Sequence, residues 1–119
     1  GRAQALAAIA VLKKQPIDRI VASPLSRARE TAEIINQVLQ RPLSFHAGIR
    51  ERHFGDFEGK STDEIDRLRR MLQGSGAAVE ENGYPCPPGG ESYAEFKGRI
   101  ISAMHDELHA TPDQAVMFV

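Results

Sequence analysis

The stretch IDRIVASPLSRARETAEIINQVL, residues 17–39, decides the fold, because it predicts a short buried strand that turns directly into an amphipathic helix. The strand is indicated by a brief apolar run that a Ser-Pro pair closes. Pro24 suits the first helical position, since its fixed φ is already helical and the N–H that it lacks would have no partner there. Ser23 is then the predicted N-cap.

The helix that follows has one apolar stripe and one informative cation. At about 100° per residue, the stripe consists of Leu25, Ala28, Ala32, Ile35 and Leu39, widened by Ile34 and Val38. Arg27 is predicted on the half-buried side of the first turn, where the helix dipole and desolvation both disfavour a cation. A bound phosphate would resolve both problems. An arginine that snorkels to water or pairs with a carboxylate is the equally weighted alternative.

The other segments predict an α/β fold with a mostly parallel sheet. A helix is expected over residues 2–14, with Leu6, Ile9 and either Val11 or Leu12 inward. Strands are expected over residues 43–45 and in the apolar run AVMFV, residues 115–119. Two capping boxes, Ser61 with Glu64 and Ser92 with Glu95, predict helices to residues 72 and 108. A glycine-broken charged loop covers residues 46–60, and the Gly/Pro-rich residues 74–90 predict a surface excursion that acts as a flap near a site.

The composition excludes several classes of protein. A length of 119 residues with 41% hydrophobic and 26% charged residues indicates a single globular domain or part of one. The net charge of −1 gives no electrostatic case for nucleic acid or an anionic membrane as a partner. No apolar run approaches a membrane span and no signal peptide is visible. A single cysteine fits a reducing compartment, so we expect a cytoplasmic protein.

Few residues outside the helix start suggest chemistry. We interpret His46 and His53 as ordinary loop histidines rather than metal ligands, and we interpret His105 with His109, at i and i+4, as a solvated helix face. Cys86, in a proline-rich loop, is interpreted as a bystander thiol.

Glu51 lies just beyond the strand that follows the Arg27 helix. A phosphate beside it would raise its pKa and let it protonate a leaving oxygen. An exposed Glu paired with Arg50 or Arg52 is the alternative.

Four segments together resemble the histidine phosphatase superfamily, the phosphoglycerate mutase-like proteins. The segment ASPLSRARETA, residues 22–32, is similar to the motif S-x-L-x-R-A-x-x-T-A of that family. RERHFGDFEG, residues 50–59, resembles R-E-x-x-x-G-x-x-E-G, and PGGES at 88–92, with Arg99 beyond it, resembles P-G-G-E-S…R. GRAQA at the start matches the helix start G-R-x-Q-A. The four motifs occur in the family's order and span nearly the whole chain.

The resemblance implies a three-layer α/β/α domain that transfers phosphate through a phosphohistidine, with a small phosphorylated metabolite as substrate and no cofactor or metal. Carried over residue by residue, Arg27 would bind phosphate and Glu51 would be the general acid. Ser23 and Arg52 would lie at the edge of the site and contribute to phosphate or substrate binding.

The resemblance also implies that two histidines lie outside this chain. The family's nucleophile belongs to an R-H-G motif on a strand before residue 1, and its second histidine follows the strand that ends at residue 119. We therefore expect a domain that is incomplete at both ends and inactive as written. Unpaired strand edges would invite a homo-oligomer or a strand-exchanged dimer.

Three functions remain in view for the parent protein. The segment DFEG at 56–59 and the PGGES loop resemble the broad-specificity and sugar-phosphate phosphatases, so a phosphomonoester hydrolase is expected. A phosphoglycerate mutase is the second reading, because the mutases usually carry Tyr where this chain has Phe54. A non-catalytic phosphate-binding or interaction protein that kept the scaffold is the third.

Overall fold

A computed structural model describes residues 1–119 as two compact units. The first comprises Gly1–Arg50 and Ile100–Val119, and the second comprises Glu51–Arg99. Four helices and three strands follow the order α1 (Arg2–Leu12), β1 (Arg19–Ala22), α2 (Ser26–Leu39), β2 (Leu43–Phe45), α3 (Thr62–Gly74), α4 (Tyr93–Ala110) and β3 (Val116–Phe118). Single 3₁₀ turns lie at Ala47–Ile49 and Gly55–Phe57.

The first unit is built on a three-stranded parallel sheet, which confirms the predicted α/β fold. The strand order is β2-β1-β3, and Ile20 of the central strand lies opposite Leu43 on one side and Met117 on the other. The last three residues of β1 are completely buried. Their position explains the β-branched run in the sequence, because a central parallel strand is covered on both faces.

Helices α1 and α2 pack against each other through an aliphatic cluster. The cluster consists of Ala5, Ile9, Ile34 and Ile35, with Leu12, Leu39 and Met117 packed against it. One residue of the predicted inward set is wrong, because Leu6 is 55% exposed. Ile9 is buried as predicted, and of the two alternatives Leu12 packs against the cluster while Val11 is 62% exposed. Helix α1 is apolar on more than one side, and only the face that carries Ala5 and Ile9 is buried.

Helix α2 begins later than the sequence predicts, and Ser23 is not its N-cap. The cap residue is Leu25, whose extended ψ of 138° precedes the first helical residue, Ser26. Ser23 instead continues the strand pairing, because its N–H donates to the carbonyl oxygen of Val119 at 2.8 Å. Its hydroxyl accepts the N–H of Leu25 at 3.3 Å, which closes the turn around Pro24. Sheet register therefore holds Ser23 out of the helix, in line with the extended backbone favoured before proline.

The apolar stripe of α2 is narrower than predicted. Ala32, Ile34 and Ile35 are buried, whereas Leu25 and Val38 are 37% and 39% exposed. The run at residues 115–119 forms β3 as predicted, but its residues are only partly buried or exposed rather than fully buried.

The second unit confirms both predicted capping boxes. The Ser61 hydroxyl accepts the N–H of Glu64, and the Glu64 carboxylate accepts the N–H of Ser61 at 2.8 Å, so α3 begins at Thr62. At the start of α4 the N–H of Ser92 donates to Glu95 at 2.8 Å, and the N–H of Glu95 donates to the Ser92 hydroxyl at 3.1 Å. These reciprocal bonds satisfy donors that a helix start leaves without a helical partner.

Candidate functional site

The carboxyl-terminal edge of the sheet is organised around Ser23. This residue directly follows the central strand and is 4% exposed. On one side its N–H bonds to Val119, and on the other the N–H of His46 donates to the carbonyl oxygen of Ala22 at 3.0 Å. Ends of parallel strands are where α/β proteins place their ligands, so this edge is a candidate binding site within the first unit.

Arg27 lies in the first turn of α2, two residues after Leu25. Its side chain is exposed, which corrects the prediction of a half-buried position. The helix begins at Ser26, so Arg27 is its second residue. The position still suits anion binding, since the helix amino terminus carries partial positive charge.

Arg29 differs from Arg27 in its surroundings. Its guanidinium carbon lies 4.0 Å from the centroid of the Phe45 ring, at the end of β2. This cation–π contact fixes Arg29 against an aromatic face. Arg29 is therefore a suitable comparison for any test of Arg27.

The second unit presents Glu51 and Arg52 side by side. Glu51 is exposed, and its Oε1 accepts the N–H of Arg52 at 3.0 Å. Arg52 is 7% exposed, and its guanidinium donates to the Glu91 carbonyl oxygen at 2.9 Å and to Glu80 Oε2 at 2.6 Å. The Arg52 guanidinium is thus engaged in contacts within its own unit.

Two of the family-like sequence segments are joined by hydrogen bonds in this unit. The N–H of Glu91 donates to the His53 carbonyl oxygen at 2.9 Å, and the N–H of Asp56 donates to the Pro88 carbonyl oxygen at 2.9 Å. Gly55 has a φ of 50°, and a Cβ there would collide with the backbone of residues 88–90. The glycine is therefore required for the close approach of the two segments.

An ion pair between Glu91 and Arg99 stabilises the segment at residues 88–92. Arg99 donates from two nitrogens to the two carboxylate oxygens of Glu91, each at 2.8 Å, which is a bidentate pair. Hydrogen bonding from Arg99 holds the pKa of Glu91 below its ordinary value, against the opposing effect of burial. Glu91 therefore stays ionised and keeps its ion pair with Arg99, next to the loop that carries Glu51.

Glu80 has a supporting position that the sequence analysis missed. Burial acts to raise its pKa, but hydrogen bonds from the Tyr93 N–H, at 2.7 Å, and from Arg52 outweigh that effect and lower it. Glu80 thus joins Arg52 to the first turn of α4. Its loop has no periodic pattern, so no signal in the sequence pointed to this contact.

The four predicted site residues divide into two pairs. Ser23 and Arg27 lie in the first unit at the β1–α2 turn, and Glu51 and Arg52 lie in the second. Their catalytic and binding roles stay predictions.

The remaining candidates do not form a metal or thiol centre. His46 and His53 each accept a backbone N–H through Nδ1, from Gly48 and Gly55 respectively. No group of three or more His, Cys, Asp or Glu side chains comes together to hold a metal. Burial, aided by the charge of Glu80, raises the pKa of the Cys86 thiol, which disfavours the nucleophilic thiolate.

None of the four helices combines the length and the apolar character that crossing a bilayer requires.

Residues 1–119 match the histidine phosphatase superfamily (branch 1) along their full length. The chain belongs to this family. The expected resemblance is thereby confirmed at the level of the superfamily.

Several curated proteins are similar over most of this chain. A glucosyl-3-phosphoglycerate phosphatase from Mycolicibacterium vanbaalenii is 36% identical over 107 residues, which cover 89% of this chain and 46% of the relative. An uncharacterised phosphatase, PhoE, from Bacillus subtilis is 34% identical over 86% of this chain and 46% of its own length. A probable phosphoglycerate mutase, GpmB, from Escherichia coli is 32% identical over 87% of this chain and 47% of its own length. The chain therefore spans about half the length of these relatives.

A solved phosphatase structure has a similar fold. The complex of a mycobacterial glucosyl-3-phosphoglycerate phosphatase with inorganic phosphate superposes with a TM-score of 0.78 at 29% identity, covering 99% of this chain and 59% of the other.

Proposed function

We propose that the protein to which this chain belongs is a phosphomonoester hydrolase that acts through a phosphohistidine. Family membership over residues 1–119 carries the proposal. The two similar proteins that are named phosphatases favour hydrolysis over other reactions of the family. The nucleophilic histidine and the second histidine are proposed to lie outside residues 1–119.

In this proposal Arg27 binds the phosphoryl group and Glu51 transfers the proton. Arg27 would clamp the transferring phosphoryl group, because a guanidinium fork offers paired donors to two oxygens of a phosphate. Glu51 would protonate the leaving oxygen, since a carboxyl beside a phosphate has its pKa raised by like charge. Ser23 would border the phosphate at the strand end. Arg52 would act as a positioning residue, because its guanidinium is engaged by Glu80 and by the Glu91 backbone.

The proposed substrate is a small phosphorylated metabolite of the sugar-phosphate kind. The similarity to glucosyl-3-phosphoglycerate phosphatase favours this class. A phosphoglycerate mutase is the second candidate, favoured by the 32% identity to the probable mutase from E. coli. Product analysis with a phosphoglycerate separates the two, because a hydrolase releases inorganic phosphate and a mutase returns a positional isomer.

The two arginines of the α2 start provide the main test. In a protein that carries the R-H-G segment upstream and the second histidine downstream, Arg27→Ala should lower kcat/KM for a phosphomonoester by about 10²–10³-fold, as for loss of one transition-state donor. Arg27→Lys should recover only part of the activity, because an ammonium cannot form the paired contact. Arg29→Ala is the matched control and should change kcat/KM little. Equal losses from the two alanine variants would contradict the assignment of Arg27.

The 119-residue chain supplies a second test. It should not hydrolyse 4-nitrophenyl phosphate, because the proposed route needs a histidine nucleophile that residues 1–119 do not place in the expected context. Turnover that persists through repeated purification, and that Arg27→Ala abolishes, would contradict the phosphohistidine route. Such a result would favour a nucleophile within these residues.

A further inference from the structure

Glu91 contacts both of the residues that follow Glu51, through its main chain and through its side chain. The Glu91 N–H donates to the His53 carbonyl oxygen at 2.9 Å, and the Glu91 carbonyl oxygen accepts a hydrogen bond from Nε of Arg52 at 2.9 Å. The Glu91 carboxylate accepts a longer hydrogen bond, of 3.4 Å, from the His53 N–H. We propose that Glu91 is a positioning residue for Glu51, an inference that rests on the proposed role of Glu51 as general acid.

The direction of the Glu51 carboxyl depends on the residues that Glu91 holds. Glu51 Oε1 accepts the N–H of Arg52 at 3.0 Å, so the carboxyl follows the peptide between residues 51 and 52. The Arg52 side chain is fixed by Glu91 and Glu80, and both backbone groups of His53 are bonded to Glu91. With its side chain and the following peptide held, Arg52 has little freedom to turn its N–H away. Glu91 thereby limits the directions that the Glu51 carboxyl can take.

Arg99 in turn fixes the Glu91 side chain. Its two hydrogen bonds to the two carboxylate oxygens, each of 2.8 Å, define the plane of the carboxylate. Hydrogen bonding from Arg99, and also from the His53 N–H, lowers the pKa of Glu91 although burial acts to raise it. Glu91 therefore remains a hydrogen-bond acceptor near neutral pH. An ionised carboxylate has no proton to donate, so Glu91 cannot replace Glu51 as the acid.

A general acid in a loop needs such support from outside the loop. Residue 51 lies in neither a helix nor a strand, between the 3₁₀ turns Ala47–Ile49 and Gly55–Phe57. A proton donor must lie within hydrogen-bond reach of the leaving oxygen, and a misplacement of about 1 Å costs up to about 10²-fold in rate. Loss of the Glu91 contacts should therefore lower the rate of the chemical step rather than the binding of substrate.

Steady-state kinetics test this role in the protein that carries both histidines. Glu91→Ala should lower kcat for an alkyl phosphomonoester by about 10–10²-fold with little change in KM. The loss should be much smaller for 4-nitrophenyl phosphate, whose leaving group departs without a proton. Glu91→Gln keeps an acceptor for the His53 N–H and should recover part of kcat. Equal losses for the two substrates would overturn the proposal, because general damage to the fold does not distinguish leaving groups.

Two further variants keep the test independent of the stability of Glu91→Ala. Glu81→Ala makes the same substitution at an exposed carboxylate, which pairs with Lys97, and should leave kcat for both substrates unchanged. Arg99→Lys keeps the charge but loses the paired contact, so it should show the same dependence on the leaving group with a smaller loss. Circular dichroism verifies that each variant is folded. A loss in Arg99→Lys that is equal for the two substrates would count against the proposal.

A double-variant cycle separates an action through Glu51 from an independent effect. In the Glu51→Gln background, Glu91→Ala should cause little further loss of kcat, because the group that it positions is already absent. A further loss as large as in the parent protein would overturn the positioning role, even where Glu51→Gln itself behaves as the loss of a general acid. If Glu51→Gln shows no dependence on the leaving group, the proposed function of Glu51 fails first, and the positioning role fails with it.

Discussion

A general acid matters most for substrates whose leaving oxygen must be protonated. The proposed role of Glu51 can therefore be tested by comparing two leaving groups. In the extended protein with both histidines, Glu51→Gln should lower kcat for an alkyl phosphomonoester by about 10²–10⁴-fold. The loss should be much smaller for 4-nitrophenyl phosphate, because the nitrophenolate departs without being protonated. Steady-state kinetics with the two substrates measure the difference.

The control for Glu51 is another exposed carboxylate of the same unit. Glu81 pairs with Lys97 at 3.0 Å on the surface, and Glu81→Gln should leave both substrates unaffected. If Glu51→Gln slows the two substrates by the same factor, Glu51 acts by binding or by loop structure rather than by proton transfer.

Contacts between residues close in sequence were predicted better than contacts with distant partners. Arg52 was predicted at the edge of the site, yet its guanidinium donates to Glu80, 28 residues further along the chain. Nothing in the flanking residues distinguishes an arginine that binds a ligand from one that is paired with a carboxylate of the protein. The partner lies in a loop without periodicity, so only the folded chain brings the two charges together.

At the scale of elements, the Arg52–Glu80 pair holds the start of α4 to the loop that carries Glu51. Their side chains are 7% and 13% exposed. Removing one partner leaves a buried charge unpaired, so Glu80→Ala should lower the free energy of unfolding by about 3 kcal/mol. The double variant Arg52→Met with Glu80→Leu should be more stable than Glu80→Ala alone, because it removes both charges and restores volume. Urea unfolding followed by circular dichroism measures both.

The exposed pair between Lys97 and Glu81 is the matched control for this element. Its side chains are 50% and 63% exposed, and Glu81→Ala should leave the free energy of unfolding nearly unchanged. A loss in Glu80→Ala no larger than in this control would mean that the Arg52–Glu80 pair does not support the loop.

The helix starts show why some element boundaries follow from sequence and others do not. Ser61 with Glu64 and Ser92 with Glu95 complete their capping bonds within four residues, so the pattern contains all the participants. The start of α2 depends instead on the pairing of Ser23 with Val119, almost a hundred residues away in sequence. A local rule that favours proline at the first helical turn could not include that strand.

At the scale of the whole chain, the fold class was predicted from alternation of apolar runs and amphipathic segments, and the family from four ordered motifs. The structure gives physical reasons for two of the motifs, because the segments around residues 50–59 and 88–92 are hydrogen-bonded to each other. The narrowness of the buried face of α2 could not be predicted, since a periodic pattern identifies apolar residues but not how many of them a neighbouring layer covers.

Acid should destabilise the chain through the same carboxylates that brace the second unit. Glu80 and Glu91 both have their pKa below the ordinary value of 4.5 in the folded chain. A carboxylate with a lowered folded-state pKa contributes stability above its unfolded-state pKa and loses that contribution as pH falls through the folded-state pKa. Near neutral pH, these two groups should therefore give the free energy of unfolding no dependence on pH. Below about pH 4.5 the free energy of unfolding should fall progressively.

Urea unfolding at a series of pH values measures this dependence, and Glu91→Gln isolates one contribution. The variant should be less stable than the parent near neutrality, because Arg99 loses its bidentate partner. It should also lose less stability on acidification, since one of the carboxylates with a lowered pKa can no longer be protonated. An acid dependence as steep in Glu91→Gln as in the parent chain would show that other carboxylates, rather than the pair with Arg99, set the acid limit of the fold.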